Sequence, residues 1–274
     1  MVLITKFAKR HADRESGTAC SASSGGRAVV GTSLAFQMDR LLCYCKRSVY
    51  SAMKADLKMK KTPIPFAGSQ LGEERHVCAF FSSDDEEYRV LLPFIKDGFE
   101  CGDKAVHVVN PGQHSDHLRR LAEVGIDPQA ARQSGQFELR TNTETYLREG
   151  RFDQDRMLES FEQLASANAQ AGFPLSRIVC RMDWAAKGQS HIDDLVEFES
   201  RVNKVWQHHE DAVICTYHLG QFGGDTVIDI MRTHPMVVIG GILQQNPFFV
   251  PPEEFLHEFR GRRASRAGSS STSV

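Results

Sequence analysis

Two groups of residues in this chain have types and spacings that could do chemistry. The first is His76-Val77-Cys78, which reaches forward to Cys180 and Cys215, each inside a short apolar run. Residues two apart on a strand share a face, so His76 and Cys78 point the same way. Together with the two later thiols they offer a site for a metal or a thiol couple. Cysteine in a central strand usually packs as a small apolar side chain, however, so no metal and no cofactor are expected. The second group is acidic. Glu86 and Glu87 are adjacent and could serve acid–base chemistry, but four carboxylates from Asp84 to Glu87 also suit the positive end of a helix dipole while facing solvent. That second reading is preferred.

Asp183-Trp184 follows another apolar run, where an ATPase would place a magnesium-binding aspartate. The phosphate machinery that such a residue needs is missing. No GxxxxGK[ST] follows the first strand. FFSSDDEE has neither glycine nor lysine there, and its carboxylates repel phosphate. GxSxG and HExxH are absent, and no GxGxxG follows a strand. Trp184 could line an apolar pocket. Cys43-Tyr44-Cys45 lacks the second pair that a structural zinc requires.

These residues must be positioned by alternating strands and helices. Apolar runs at 77–81, 105–109, 137–140, 178–182, 212–217 and 236–241 read as six strands, the last being MVVIGG. Helical patterns fall between them, at Tyr88–Phe99, Ser115–Val124, Gln154–Ala171, Ile192–His208 and Thr226–Arg232, with a short one at Thr143–Leu147. Gly98 and Gly102 stop the first helix. This alternation predicts a three-layer α/β/α domain with a mainly parallel central sheet, RecA-like or Rossmann-like. In such sheets ligands bind outside the carboxyl ends of the strands. The rule selects Ser82, Ser83 and Asp84, then Asn110, Thr141 and Asn142, Asp183 and Trp184, and Tyr217 and His218.

Charge divides the chain. Residues 1–72 carry twelve Lys/Arg against four Asp/Glu, and 260–274 carry four Arg and no acid, within a net charge of −2. The body, 73–259, is therefore strongly acidic, which excludes a nucleic-acid groove there. Residues 1–72 read as a basic, mostly disordered extension, with Met53 or Met59 as alternative starts. Residues 260–274 read as a disordered basic tail. No run of some 18 apolar residues exists, so no membrane span is expected. Seven scattered cysteines predict a reducing cytoplasm and no disulfide framework.

HVCAFF with its EEY helix, GFECGDKAVHVV, RMDW, the pair Glu199 and Asn203, CTYHL, and THPMVVIGGILQQNPFFVPPEEF resemble, in that order, the MEDS domain (the methanogen/methylotroph sensory domain) over about residues 73–259. The resemblance implies a sensory rather than catalytic role, with small hydrocarbon derivatives sensed on a RecA/KaiC-like fold that has lost its phosphate loop. The matching positions are His76, Cys78, Glu87, Gly98, Gly102, Asp183, Trp184, Glu199, Asn203, Cys215, Tyr217, His234, Asn246 and Pro247. Of these, His76, Cys78, Glu87, Asp183, Trp184, Cys215 and Tyr217 are expected, with Phe81, to touch the ligand. The others are expected to be structural. The expectation is thus a cytoplasmic, stand-alone sensor with a small-molecule ligand at the carboxyl edge. A separate histidine kinase or transcription regulator would read the signal. Two rivals are a ligand-free, degenerate ATPase-like interaction module and an enzyme using Asp183 with His76 or His218.

Overall fold

A computed structural model describes residues 61–270; the Cys43/Cys45 pair and most of the expected N-terminal extension lie outside them. The described chain begins with a hairpin, β1 (Ile64–Phe66) and β2 (Ser69–Leu71). Ala67 and Gly68 form its turn, both at positive φ, as a tight two-residue hairpin requires. Ile64, Phe66 and Leu71 are buried, so the folded body starts before residue 73. Ile64 and Phe66 alternate on one strand and Leu71 stands opposite Ile64 on the other, so the three share the buried side of the hairpin.

A seven-stranded sheet follows: β3 (His76–Phe81), β4 (Lys104–Val109), β5 (Phe137–Thr141), β6 (Ser176–Arg181), β7 (Ala212–His218), β8 (Met236–Ile239) and β9 (Ile242–Gln245). Their spatial order is β5-β4-β6-β7-β3-β8-β9, all parallel except β9, which runs antiparallel to β8. β3, β4 and β6 are buried along their whole length, as strands covered on both faces must be. The predicted last strand, 236–241, ends at Ile239. Gly240 and Gly241, both at positive φ, make a turn into β9.

α1 (Asp84–Cys101), α2 (His114–Glu123) and α3 (Pro128–Gln133) cover one face, together with the hairpin. α4 (Gln154–Gln170), α5 (Gln189–Trp206), α6 (Gly224–Arg232) and α7 (Pro252–Ser270) cover the other. The architecture is the expected three-layer α/β/α with a mainly parallel sheet. Ser83 caps α1 by accepting from the Glu86 N–H, and the Glu86 carboxylate accepts from the N–H of Ser82, one residue before the cap. Pro93 lies inside α1 without ending it, and Gly102 closes it at φ 77°. Gly98 has a different task. A Cβ there would stand 2.6 Å from Arg177 Cδ. Its absence lets the buried Arg177 reach the Phe94 carbonyl, Asp97 and Asp103.

The structure departs from the sequence pattern at two further places. Residues 143–147 are consecutive turns, not a helix. The expected tail from 260 is helical to Ser270. Its arginines are spaced to meet acids on the neighbouring helices: Arg260 pairs with Glu197, Arg262 with Asp229, and Arg263 with Asp194. Phe255 and Phe259 anchor the start of that helix in the core. Cys78, Cys180 and Cys215 are free and buried. Among the described residues, no helix is long and apolar enough to cross a membrane.

Candidate functional site

β7 sends alternate side chains to opposite faces of the sheet, and each set meets a polar cluster. Thr216 and His218 face α1. Cys215 and Tyr217 face α5.

The α1-side cluster lies at the carboxyl edge of the sheet, and Arg181 is its centre. At the end of β6, this guanidinium donates to Asp183 through Nε at 2.7 Å and to Asp84 through Nη2, with Glu87 at 3.3 Å. Glu87 also accepts from Thr216 Oγ1 at 2.8 Å and contacts His218 Nε2 at 3.1 Å. The His218 N–H donates to Asp183 Oδ1 at 3.1 Å, tying the end of β7 to the end of β6. Burial works against the Arg181 charge, but Glu87, Asp84 and Asp183 outweigh it and hold the group firmly protonated. The bond to Glu87 raises the His218 pKa. Asp84 is lowered: its partial burial opposes ionisation, and Arg181 overcomes that. Of the adjacent pair, Glu86 only caps the helix, while Glu87 is buried and bonded. The reading of Glu87 as a solvent-facing helix charge is therefore wrong. α1 starts close enough to β6 and β7 for its fourth residue to turn inward.

The α5-side cluster is sealed. Glu199 and His234 have no exposed surface, and His76 and Cys215 are almost as deeply buried. One Glu199 oxygen, Oε1, accepts from the Tyr217 hydroxyl at 2.6 Å. The other, Oε2, faces His76 Nε2 at 3.2 Å, His234 Nε2 at 3.4 Å and Cys215 Sγ at 3.7 Å. Both histidines are held from behind. His76 Nδ1 lies 3.0 Å from Asn203 Oδ1. The Asn203 amide nitrogen donates to the carbonyls of Glu199, Ser200 and Thr233, which fixes its orientation. His234 Nδ1 lies 2.8 Å from the Ile230 carbonyl. Asn246 pins the chain that carries His234 by donating to the carbonyls of Met231 and His234. Burial pushes the Glu199 pKa up, but the two histidines more than reverse this and keep it ionised. Burial and the neighbouring His76 lower the His234 pKa. Burial raises the thiols, Cys180 to about 12.

The expected pocket of Phe81, Asp183, Trp184 and Tyr217 does not form. Phe81 packs in the core on the α1 face, and Tyr217 in the core on the α5 face. Trp184 stacks on Tyr146 with ring centroids 5.1 Å apart and lies against Phe152, with its Nε1 unpartnered. Cys78 shares a face with His76, but its Sγ approaches the Met236 carbonyl at 3.7 Å. Pro247 is exposed. Sequence reasoning missed Arg181 and Thr216. The available signal was an arginine inside an apolar strand, since a buried guanidinium needs acidic partners and FFSSDDEE supplied them.

The sequence model of the family described as "MEthanogen/methylotroph, DcmR Sensory domain" matches residues 75–235. No curated protein compared with the chain matches it. Among solved structures, a KaiC-like protein of the hyperthermophilic archaeon Pyrococcus horikoshii OT3 is similar at 15% identity and a TM-score of 0.46, over 65% of this chain and 79% of that one.

Proposed function

Because the chain belongs to the MEDS family of sensory domains, we propose that it senses a small hydrocarbon-derived metabolite and reports it to a separate histidine kinase or transcription regulator in the cytoplasm. One observation carries this reading. The family match spans the whole Arg181 network, and that network lies at the sheet edge where α/β domains bind ligands. It is also half open: the Asp84 side chain is 44% exposed and that of His218 is 13% exposed. A small molecule with one polar end can replace Asp84 on Arg181. That exchange would release the first turn of α1 and shift the population of the surface a partner reads. The anionic edge disfavours phosphate ligands, and the acidic body disfavours direct contact with nucleic acid.

Thermal-shift and native mass spectrometry of the purified chain against small alcohols, halocarbons and short acids test the reading. One class is expected to raise the melting midpoint. His218→Gln is expected to weaken it about tenfold through the loss of a charge-assisted contact. A panel in which nothing stabilises the wild type contradicts the proposal.

The burial of Phe81, Trp184 and Tyr217 favours a second reading, a ligand-free interaction module. Partner capture that is indifferent to every compound in the panel supports it. We read the domain as non-catalytic; a turnover abolished by Asp183→Asn would overturn that.

A further inference from the structure

We propose that the α5-side cluster is a binding site for one divalent transition-metal ion of the zinc type, ligated by His76 Nε2, His234 Nε2, Cys215 Sγ and Glu199 Oε2. This goes beyond the sensory reading and does not depend on it.

The hydrogen-bond bookkeeping is the first support. Asn203 Oδ1 can only accept, because the amide nitrogen of Asn203 is committed to three carbonyls. His76 must therefore donate from Nδ1. The Ile230 carbonyl likewise can only accept, so His234 also donates from Nδ1. In its neutral form each imidazole then keeps a bare Nε2 lone pair, and both Nε2 atoms point at one carboxylate oxygen. His234 Nε2 is fully buried with no hydrogen-bond partner. Converging lone pairs repel unless a cation lies between them. Among the described residues, no Lys or Arg is bonded to Glu199. One proton shared between the two rings would balance the Glu199 charge but leave a bare Nε2 lone pair facing the carboxylate, and a proton on each ring would leave a net charge out of water, which is costly.

The second support is distance. Zinc bonds of about 2.0–2.3 Å in a tetrahedron place N and O ligands about 3.3–3.5 Å apart, and either of them about 3.5–3.7 Å from sulfur. The two N–O separations here are 3.2 and 3.4 Å, and the two separations from Cys215 Sγ are 3.7 Å. All four ligand atoms lie within 4.8 Å of one another.

The charge also balances. A 2+ ion with one thiolate, one carboxylate and two neutral imidazoles is neutral, and the thiol proton leaves to solvent on binding. The partners behind the ligands, a side-chain amide and a backbone carbonyl on the far ring nitrogens, are those that orient metal-bound histidines. With four protein ligands, no position stays open for substrate, so the ion is structural. A cavity of about 350 Å³ at the amino edge of the sheet is lined by His76 and Asn203, and also by His208, His209 and Glu210. It brings solvent to the His76 side of the cluster.

The second candidate group, Asp84, Glu87 and His218, is different. Arg181 already bonds or approaches all three of its members and supplies the cation.

The test uses the full chain, untagged, stripped by chelation and reloaded with cobalt(II). Wild type is expected to take up one equivalent and show the visible d–d bands of a tetrahedral site with a thiolate-to-cobalt charge-transfer band. Cys215→Ser should lose the charge-transfer band. Asn203→Ala, a positioning change, should weaken affinity about 10–100-fold. Cys78→Ser, Asp84→Asn and the double change Cys43→Ser with Cys45→Ser should alter neither. Far-UV circular dichroism reports whether each variant is folded. Wild type that folds yet takes up no cobalt overturns the proposal, as does a spectrum unchanged by Cys215→Ser.

Discussion

The two polar clusters lie back to back on one strand and solve the same problem differently. On the α1 side of β7, three carboxylates surround an arginine, and the cluster carries its own cation. On the α5 side, one carboxylate is enclosed by two imidazoles, a thiol and a phenol, and no arginine or lysine among the described residues joins it. The first cluster is partly open and the second is sealed. The lesson is electrostatic. A half-open site can afford an imbalance of charge because water screens it, whereas a sealed site has to reach neutrality with what it encloses. The open site is thus suited to exchange partners and the sealed one to hold its occupant.

Breaking each cluster in turn should expose this difference. The largest effect is expected from Glu199→Ala, which removes the only carboxylate of the sealed cluster and strands the Tyr217 hydroxyl. Chemical denaturation should show a loss of about 3–5 kcal/mol. Arg181→Met removes the internal cation and leaves Asp84, Glu87 and Asp183 facing one another. A loss of about 3 kcal/mol is expected at neutral pH, shrinking in acid as the carboxylates protonate. An equal loss at pH 7 and pH 3 would argue against the network. Tyr217→Phe deletes one bond to a charged acceptor and should cost about 2 kcal/mol, while Thr216→Val, its counterpart on the other face, should cost about 1 kcal/mol.

The pH dependence separates the two faces by sign. His218 has a raised pKa, so its stabilising contribution is complete below the ordinary value of 6.5 and fades as pH climbs through the raised one. A declining stability above pH 6.5 that vanishes in His218→Gln is the expected result. His234 is lowered by burial and by His76, so it favours the unfolded state in acid. Stability should fall as pH drops below 6.5, and His218→Gln should leave that fall in place. His117, buried under Tyr88 and lowered to about 4, adds to the same acid limb.

How much of this the sequence disclosed depended on whether a feature was local. The β3–α1 unit was legible because its apolar run, capping serine and stop glycine are contiguous. The α7 helix was misread because its arginines look like a basic tail until they stand opposite Asp194, Glu197 and Asp229. Gly240-Gly241 was read as the end of a strand, although a glycine pair between apolar runs is a hairpin signal. The carboxyl-edge rule found Asp84, Asp183 and His218 but was silent on Arg181, which lies one residue inside the apolar run expected at 178–182 although it is the last residue of β6. The sealed cluster could not be derived by spacing. His76 in β3, Glu199 in α5, Cys215 in β7 and His234 in the turn before β8 are far apart in the chain and meet only because β7, β3 and β8 are neighbours under α5. His76 also lies at the amino end of its strand, opposite to the edge where ligand residues were sought.

The difference between the clusters is tested most directly by the melting midpoint with and without a strong chelator, in wild type, Asp84→Asn and Glu199→Gln. Chelation is expected to lower the midpoint of wild type and of Asp84→Asn and to leave Glu199→Gln unmoved, because only the sealed cluster depends on an added cation. A wild-type midpoint indifferent to the chelator, or an equal drop in Glu199→Gln, would contradict the distinction.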